Sequence, residues 1–352
     1  MRSNLTKVIA TIAFMAALAV AAGSVAEACS RYLWNSNKLG VFSTRSMDWA
    51  HSFEDVLLII PRGAQMDGGV GAGSAKWTSK YGSVVQTVYP YAKKHGFTID
   101  DGAAEGINEK GLTVHMLYLE TTQYAEPDDK PGVSYLRWGR FLLDNYATVA
   151  EAVEGMKTIR ITPVKFGSEV LGIHVAVEDP SGDSAIFELI DGKLVVHHGR
   201  EFTVMTNDPP YDWQLVNLKQ YQTLGGLHSM PGGIEGADRF VRLAYYGQFL
   251  PEPADDSQAA GYIMSLIHNV AVPFGAPYGG RAGSGEYPTW WTAVVDLDNR
   301  ILYFNWTANP NTLWVDLNLI DFAQVKEIRM FDPKDPAAAG EVSAAFAPVQ
   351  AE

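Results

Sequence analysis

Along most of the chain, apolar and polar positions alternate over short stretches that end at Gly, Asn or Asp, the pattern of half-buried strands joined by tight turns. On that pattern strands are expected at Leu39–Asp48, Leu112–Glu120, Leu171–Val177, Ser184–Ile190 and Lys193–His197. A further hairpin is expected from Trp290–Asp296 and Arg300–Trp306 across Leu297-Asp298-Asn299. Val56–Pro61 is apolar without alternation, so it predicts a strand covered on both faces. The period changes over Ser134–Met156, where Leu136, Phe141, Leu142 and Tyr146 recur at helical spacing behind Ser134, a good N-cap residue. Gly236–Leu250 and Gly261–Val270 also predict helices. The glycine-rich stretch Met66–Lys76 lacks the Gly-Lys-Ser/Thr ending of a phosphate loop and reads as a hairpin or surface loop. Strand and helix blocks interleave without strict βαβ alternation, which points to antiparallel sheets covered by helices. With neither an internal repeat nor a clear linker, one domain is expected over residues 29–332. Pro333–Glu352, rich in Ala, Pro and charge, is expected to be a frayed tail or an arm on a neighbouring subunit.

The first residues alter this picture. Arg2 and Lys7 precede an apolar run from Val8 to Ala22, and Ala26-Glu27-Ala28 supplies small residues where a signal peptidase reads. The run is too short for a convincing membrane span. Residues 1–28 are therefore expected to be a cleavable signal peptide, which makes the mature protein periplasmic or secreted and free of the membrane. The 352-residue chain carries a formal net charge of −13, and loss of Arg2, Lys7 and Glu27 makes it one charge more negative. Such a chain without a basic cluster offers no footprint for nucleic acid, and a small-molecule substrate is expected.

The sequence has a single cysteine, Cys29, at the expected cleavage point. No disulfide can form within the chain, and a lone thiol in an exported protein draws attention to its chemistry. A cysteine at a mature N-terminus joins two reactive groups. Its α-amine titrates near neutrality and can act as a base, while its thiolate is a nucleophile that a nearby cation favours. Arg45 and Asp48, in Ser43-Thr44-Arg45-Ser46-Met47-Asp48-Trp49, are candidates for holding the thiolate and the amine. Three residues apart, they point to opposite faces of a regular strand, so a bulge or turn is expected to bring both to Cys29. The pattern of a lipidated cysteine, with Leu three residues earlier and small residues between, is broken by Ala26 and Glu27. The eight histidines raise a Cys–His dyad as a rival, but the local cysteine motif of papain-like enzymes is missing. No grouping of His, Asp or Glu has zinc spacing, so no metal and no other cofactor is expected.

Cys29-Ser30-Arg31 with Thr44-Arg45-Ser46-Met47-Asp48-Trp49 resembles the opening of the choloylglycine hydrolase family, which contains bile salt hydrolases and penicillin V acylases. Asn108-Glu109-Lys110-Gly111-Leu112 is similar to that family's Asn-Glu-Lys-Gly-Leu turn. Thr206-Asn207-Asp208-Pro209 with Asn217-Leu218, and Arg239-Phe240-Val241-Arg242, resemble two later blocks in the same order. The resemblance implies an α+β fold, the four-layer αββα sandwich of N-terminal-nucleophile hydrolases, and a homo-oligomer, tetramer or dimer. It implies Cys29 as nucleophile and base, and Arg45 and Asp48 as the residues that hold thiolate and amine. Asn207 matches the side-chain donor of the oxyanion hole, the backbone N–H of Tyr118 the second donor, and Arg239 an arginine buried beside the nucleophile. The short interval between Asn207 and Arg239 resembles the Gram-negative branch of the family.

The expected activity is hydrolysis of linear amides that join an apolar acyl group to a polar amine. Penicillin V and N-acyl-homoserine lactones fit one branch, and conjugated bile salts are the alternative. Trp34, Trp49 and Tyr118 are candidates for lining the acyl pocket. The non-enzymatic alternatives are a catalytically silent ligand-binding protein and a lipid-anchored surface protein.

Overall fold

The structure, a computed structural model, describes residues 28–277 and 285–349. The leader expected over residues 1–28 lies, apart from Ala28, outside the described residues. In chain order the first strands are β1 Ala28–Trp34, β2 Phe42–Asp48, β3 Val56–Ile60, β4 Gln65–Asp67, β5 Lys76–Thr78, β6 Ser83–Thr87, β7 Ala103–Asn108, β8 Thr113–Tyr118, β9 Gly132–Ser134 and β10 Arg160–Thr162. They are followed by β11 Ile173–Glu178, β12 Ser184–Ile190, β13 Lys193–His198, β14 Val204–Thr206, β15 Thr289–Asp296, β16 Ile301–Trp306, β17 Thr312–Asp316, β18 Arg329–Phe331, β19 Gly340–Glu341 and β20 Ala347–Pro348. The α-helices are α1 Tyr89–Lys93, α2 Trp138–Asn145, α3 Val149–Met156, α4 Tyr211–Leu218, α5 Gly236–Tyr246 and α6 Asp256–His268.

Two sheets form the centre. The first runs β14-β1-β2-β15-β16-β17-β19 and the second β13-β12-β11-β8-β7-β6-β3-β18-β20. Both are antiparallel throughout except where β19 joins β17 in parallel. Helices α5 and α6 pack on the first sheet, α2 and α3 on the second, and β1 meets β8 between the sheets. The expected αββα sandwich is therefore present. Its layers are visible in the side-chain parity of single strands. In β3, whose five residues are all buried, Leu57 and Ile59 join one core while Val56, Leu58 and Ile60 join another. The strand lies between two apolar layers, which is why it shows no alternation.

Three expectations are corrected. The helix expected across Ser134–Met156 is two helices behind a 3₁₀ turn, Tyr135–Arg137, which Ser134 caps by accepting from Leu136 N at 3.2 Å. The chain breaks at Tyr146, and Thr148 starts α3 by accepting from Glu151 N at 3.2 Å while Glu151 accepts from Ala147 N at 2.8 Å. The first bond satisfies an amide of the first turn, and the second ties the residue before the cap back to that turn, so a new helix begins there. Second, α6 begins before Gly261, because Asp255 caps it by accepting from Gln258 N at 2.8 Å. Third, the segment after residue 332 is neither frayed nor a free arm over its described length. It adds β19 to one sheet and β20 to the other, and buried Phe346 packs on Phe331 with ring centroids 5.5 Å apart.

Candidate active site

The site grows from the pairing of β1 with β2. Cys29 lies opposite Met47 and Arg31 opposite Arg45, while Ala28 lies opposite Asp48 and Ser30 opposite Ser46. Alternation therefore puts Cys29, Arg31, Arg45 and Met47 on one face and Ser30, Ser46 and Asp48 on the other. The first face looks at the second sheet and the other at α5. Arg45 and Asp48 do point opposite ways. No bulge in β2 reverses this; the register shift lies in β15, between Thr289 and Trp291. Arg45 reaches the thiol directly, and Asp48 belongs to the group that surrounds the Cys29 backbone.

On the inner face, the Cys29 sulfur lies 3.8 Å from Arg45 Nη2, 3.7 Å from Met47 Sδ and 3.9 Å from the Asp48 carbonyl oxygen. Arg45 is fixed by donation from Nη1 to the Ala104 carbonyl at 2.5 Å, by Glu105 Oε2 at 3.5 Å, and by stacking 5.0 Å above the Trp291 ring. Burial pushes the thiol pKa up, and the Arg45 guanidinium opposes that shift without cancelling it.

On the outer face, Asp48 accepts from Ser46 Oγ at 3.0 Å and from Thr289 Oγ1, with Arg239 Nη1 at 3.5 Å. Burial raises the Asp48 carboxyl to about 6 against the pull of Arg239 and of those two hydroxyls. Arg239, fully buried on α5, donates to the Cys29 carbonyl at 2.6 Å, to Ser30 Oγ, to Asn207 Oδ1 at 2.9 Å and to the Ile234 carbonyl at 2.8 Å. Asn207 Oδ1 also accepts from the Cys29 backbone N–H, and Asn207 Nδ2 donates to the Tyr118 carbonyl at 2.8 Å. Asp208 ties the same loop to the end of β8, accepting from Glu120 N at 2.7 Å.

Tyr118 and Ile173 are register partners, and the next pair along is hydrogen-bonded from Leu119 N to the Gly172 carbonyl at 3.0 Å. Tyr118 thus occupies a non-hydrogen-bonded position with respect to β11, and its N–H and C=O leave β8 on the opposite edge, the edge that meets Asn207. Tyr118 borders a cavity of about 70 Å³ that Cys29 and Arg45 also line. Trp49, Phe53, Met116, Phe166 and Leu171 are among the walls. Trp49 stands edge-on to Tyr118 with centroids 5.8 Å apart and packs on Phe53 at 5.0 Å. Among the described residues no group of three or more His, Cys, Asp or Glu could hold a metal ion.

All six residues expected to do chemistry, Cys29, Arg45, Asp48, Tyr118, Asn207 and Arg239, converge here, and Trp49 reaches the cavity. Trp34 does not. It sits at the far end of β1, buried against Phe42 with centroids 6.3 Å apart. Sequence reasoning missed Met47, Ser30, Ser46 and Thr289. The first three lay inside quoted blocks, and a seven-residue strand that is wholly buried yet carries Ser43, Thr44, Arg45, Ser46 and Asp48 was the available signal. It also missed a buried set of charges behind Arg45, comprising Glu105, His115, Glu178 and Arg31.

Known proteins resemble this chain in sequence and fold. The sequence profile described as "Linear amide C-N hydrolases, choloylglycine hydrolase family" matches residues 29–331. A penicillin V acylase of Pectobacterium atrosepticum is 35% identical, over 99% of this chain and 98% of that protein. The solved structure of penicillin V acylase from Agrobacterium tumefaciens superposes with a TM-score of 0.80 at 32% identity, covering 92% of this chain and 98% of that one. A bile salt hydrolase/transferase of Clostridium perfringens is 26% identical, over 78% of this chain and 88% of that protein. With the profile spanning nearly all the described residues and the fold agreeing with that of a solved relative, this chain belongs to the choloylglycine hydrolase family of linear amide C–N hydrolases.

Proposed function

We propose that the protein hydrolyses amides joining an aromatic or otherwise apolar acyl group to a polar amine, in the manner of a penicillin V acylase, with Cys29 as the N-terminal nucleophile after removal of residues 1–28. The observation that carries this reading is the position of the Cys29 sulfur, 3.8 Å from a guanidinium and on the wall of a cavity lined by Trp49, Phe53 and Tyr118. The start of the family match at Cys29 supports the cleavage point, and the leader makes the mature protein periplasmic or secreted.

In this mechanism the free α-amine takes the thiol proton, and the thiolate, favoured by Arg45, attacks the amide carbon. The oxygen that gains charge is met by Asn207 Nδ2, whose two hydrogens let it keep Tyr118 and reach the oxyanion, and by the Tyr118 N–H. Asp48 and Arg239 hold the amine and the Cys29 backbone in place. The ammonium passes its proton to the leaving amine, and a thioester remains. Water then gives a proton to the amine as it attacks, the carboxylic acid departs, and the sulfur is released.

Intact mass of the exported protein, followed by incubation with penicillin V, tests the reading. A mass that starts at unmodified Cys29, release of phenoxyacetate, and loss of turnover in Cys29→Ser are expected. A Cys29 start with turnover only of glycine- or taurine-conjugated bile salts, or only of N-acyl-homoserine lactones, would replace the proposed substrate. A different start, or a blocked Cys29, would overturn the mechanism.

A further inference from the structure

Behind Arg45, four charged residues that the reaction does not touch lie fully buried between the sheets. Glu105 Oε2 is 3.5 Å from Arg45 Nη1 and 2.7 Å from His115 Nδ1. His115 Nε2 is bonded to Glu178 Oε1, and Glu178 Oε2 is 2.8 Å from Arg31 Nη2. Arg31 also donates to Ser184 Oγ and to the Phe202 carbonyl, each at 2.9 Å. The register places them. Glu105 on β7 lies directly opposite His115 on β8, and His115 opposite Ala176 on β11, two residues before Glu178. The charged groups facing His115 therefore come from β7 and β11 directly, and from β2 and β1 one step further on.

Both ring nitrogens of His115 meet carboxylate oxygens, which only accept when ionised. A neutral imidazole has one N–H, so two such bonds call for the imidazolium. Burial pushes His115 down, but Glu105 and Glu178 outweigh it and hold it at about 9. Burial likewise pushes Glu178 up, and Arg31 and His115 bring it down to about 2. From Arg45 to Arg31 the charges alternate as plus, minus, plus, minus, plus. Glu105 alone would cancel much of the attraction of Arg45 for a thiolate, and the charge on His115 cancels Glu105 in turn. We propose that His115, clamped as an imidazolium between Glu105 and Glu178, is a positioning residue that preserves the field of Arg45 at the Cys29 sulfur. This rests on Cys29 being the nucleophile.

The sign of the charge makes the test. With one cysteine in the chain, the pH dependence of alkylation of the mature protein by iodoacetamide reports the apparent thiol pKa, with Cys29→Ser as the blank. His115→Gln removes a positive charge and is expected to raise that pKa by about one unit, with roughly a tenfold loss of alkylation rate and kcat/KM at pH 7. Glu178→Gln removes a negative charge and is expected to lower it. The double variant restores the sum and is expected to return close to the parent. Equal shifts in both single variants, or slower reaction at an unchanged pKa, would show a merely structural role and overturn the proposal. Histidine ¹⁵N spectra of the unsubstituted mature protein decide the matter even where a variant does not fold: an imidazolium persisting at pH 8 is expected, and its absence overturns the proposal. Turnover retained by Cys29→Ser would instead overturn the nucleophile assignment, a distinguishable result.

Discussion

Asn207 touches three parts of the site at once. Its Oδ1 accepts from Cys29 N and Arg239 Nη2, and its Nδ2 donates to the Tyr118 carbonyl. Truncation to alanine removes the proposed oxyanion donor and also loosens the backbone of Cys29. Asn207→Ala is expected to lower kcat by about 10²–10³ with a smaller change in KM, read from initial rates over a substrate range. Trp49 makes a different kind of contribution. Its carbonyl is held by Trp290 Nε1 at 2.9 Å, so its backbone stays in place when the ring is removed. Trp49→Ala is expected to cost at least about tenfold in kcat/KM for an aromatic acyl group relative to a short aliphatic one. Equal losses for both would remove it from the acyl pocket. Except for Tyr118, the site residues that sequence alone could name each sit in a short block whose order along the chain is characteristic. Trp34 lay just after such a block, and its being three residues beyond Arg31 did not reveal that β1 carries it away from the cavity.

At the scale of elements, the strands that alternation marked lie within a few residues of where they were expected, because burial on a sheet repeats every second residue and turns carry their own chemistry. By contrast, β1, β6, β7, β14 and β17 were not expected. The break between α2 and α3 was not legible either. Apolar spacing passes through Tyr146 without interruption, and the signal lay instead in Thr148 and Glu151, a capping pair. Thr148 is exposed and α3 packs away from the cavity, so the cap can be tested in isolation. Thr148→Ala is expected to lower stability by about 1 kcal/mol, seen as a shift in denaturant midpoint, with kcat unchanged. The strands β19 and β20 are two residues each, too short for any periodic signal. Only their neighbours define them, and no local rule could have separated them from a tail.

For the molecule as a whole, the buried charges predict how stability follows pH. His115 is raised from an ordinary 6.5 to about 9. Its contribution is complete below 6.5 and is lost as pH rises through 9. The raised carboxyls Asp48 and Asp55, at about 6, have largely finished titrating before that window, and the lowered histidines His51 and His268 act below it. Thermal midpoints are therefore expected to fall between pH 6.5 and 9, and His115→Gln to flatten that slope. A fall of equal steepness in the variant would assign the effect elsewhere. None of this was legible in the sequence. Glu105, His115 and Glu178 belong to three strands of one sheet, and Arg31 and Arg45 to two strands of the other, so their meeting depends on how the sheets stack.

The described β1 starts one residue before Cys29, the proposed nucleophile, with Ala28 opposite Asp48 and the Cys29 amide already on Asn207 Oδ1. A peptidase that cuts between Ala28 and Cys29 needs those residues out of the sheet and in its own cleft. Folding first would hide the scissile bond and leave an inactive precursor; cutting first delivers an amine that folds into a waiting acceptor. The proposed cleavage would thus work as a clock, in which the proposed export sets the order of events. A pulse-chase in which cleavage slows when folding is allowed beforehand would reveal that order.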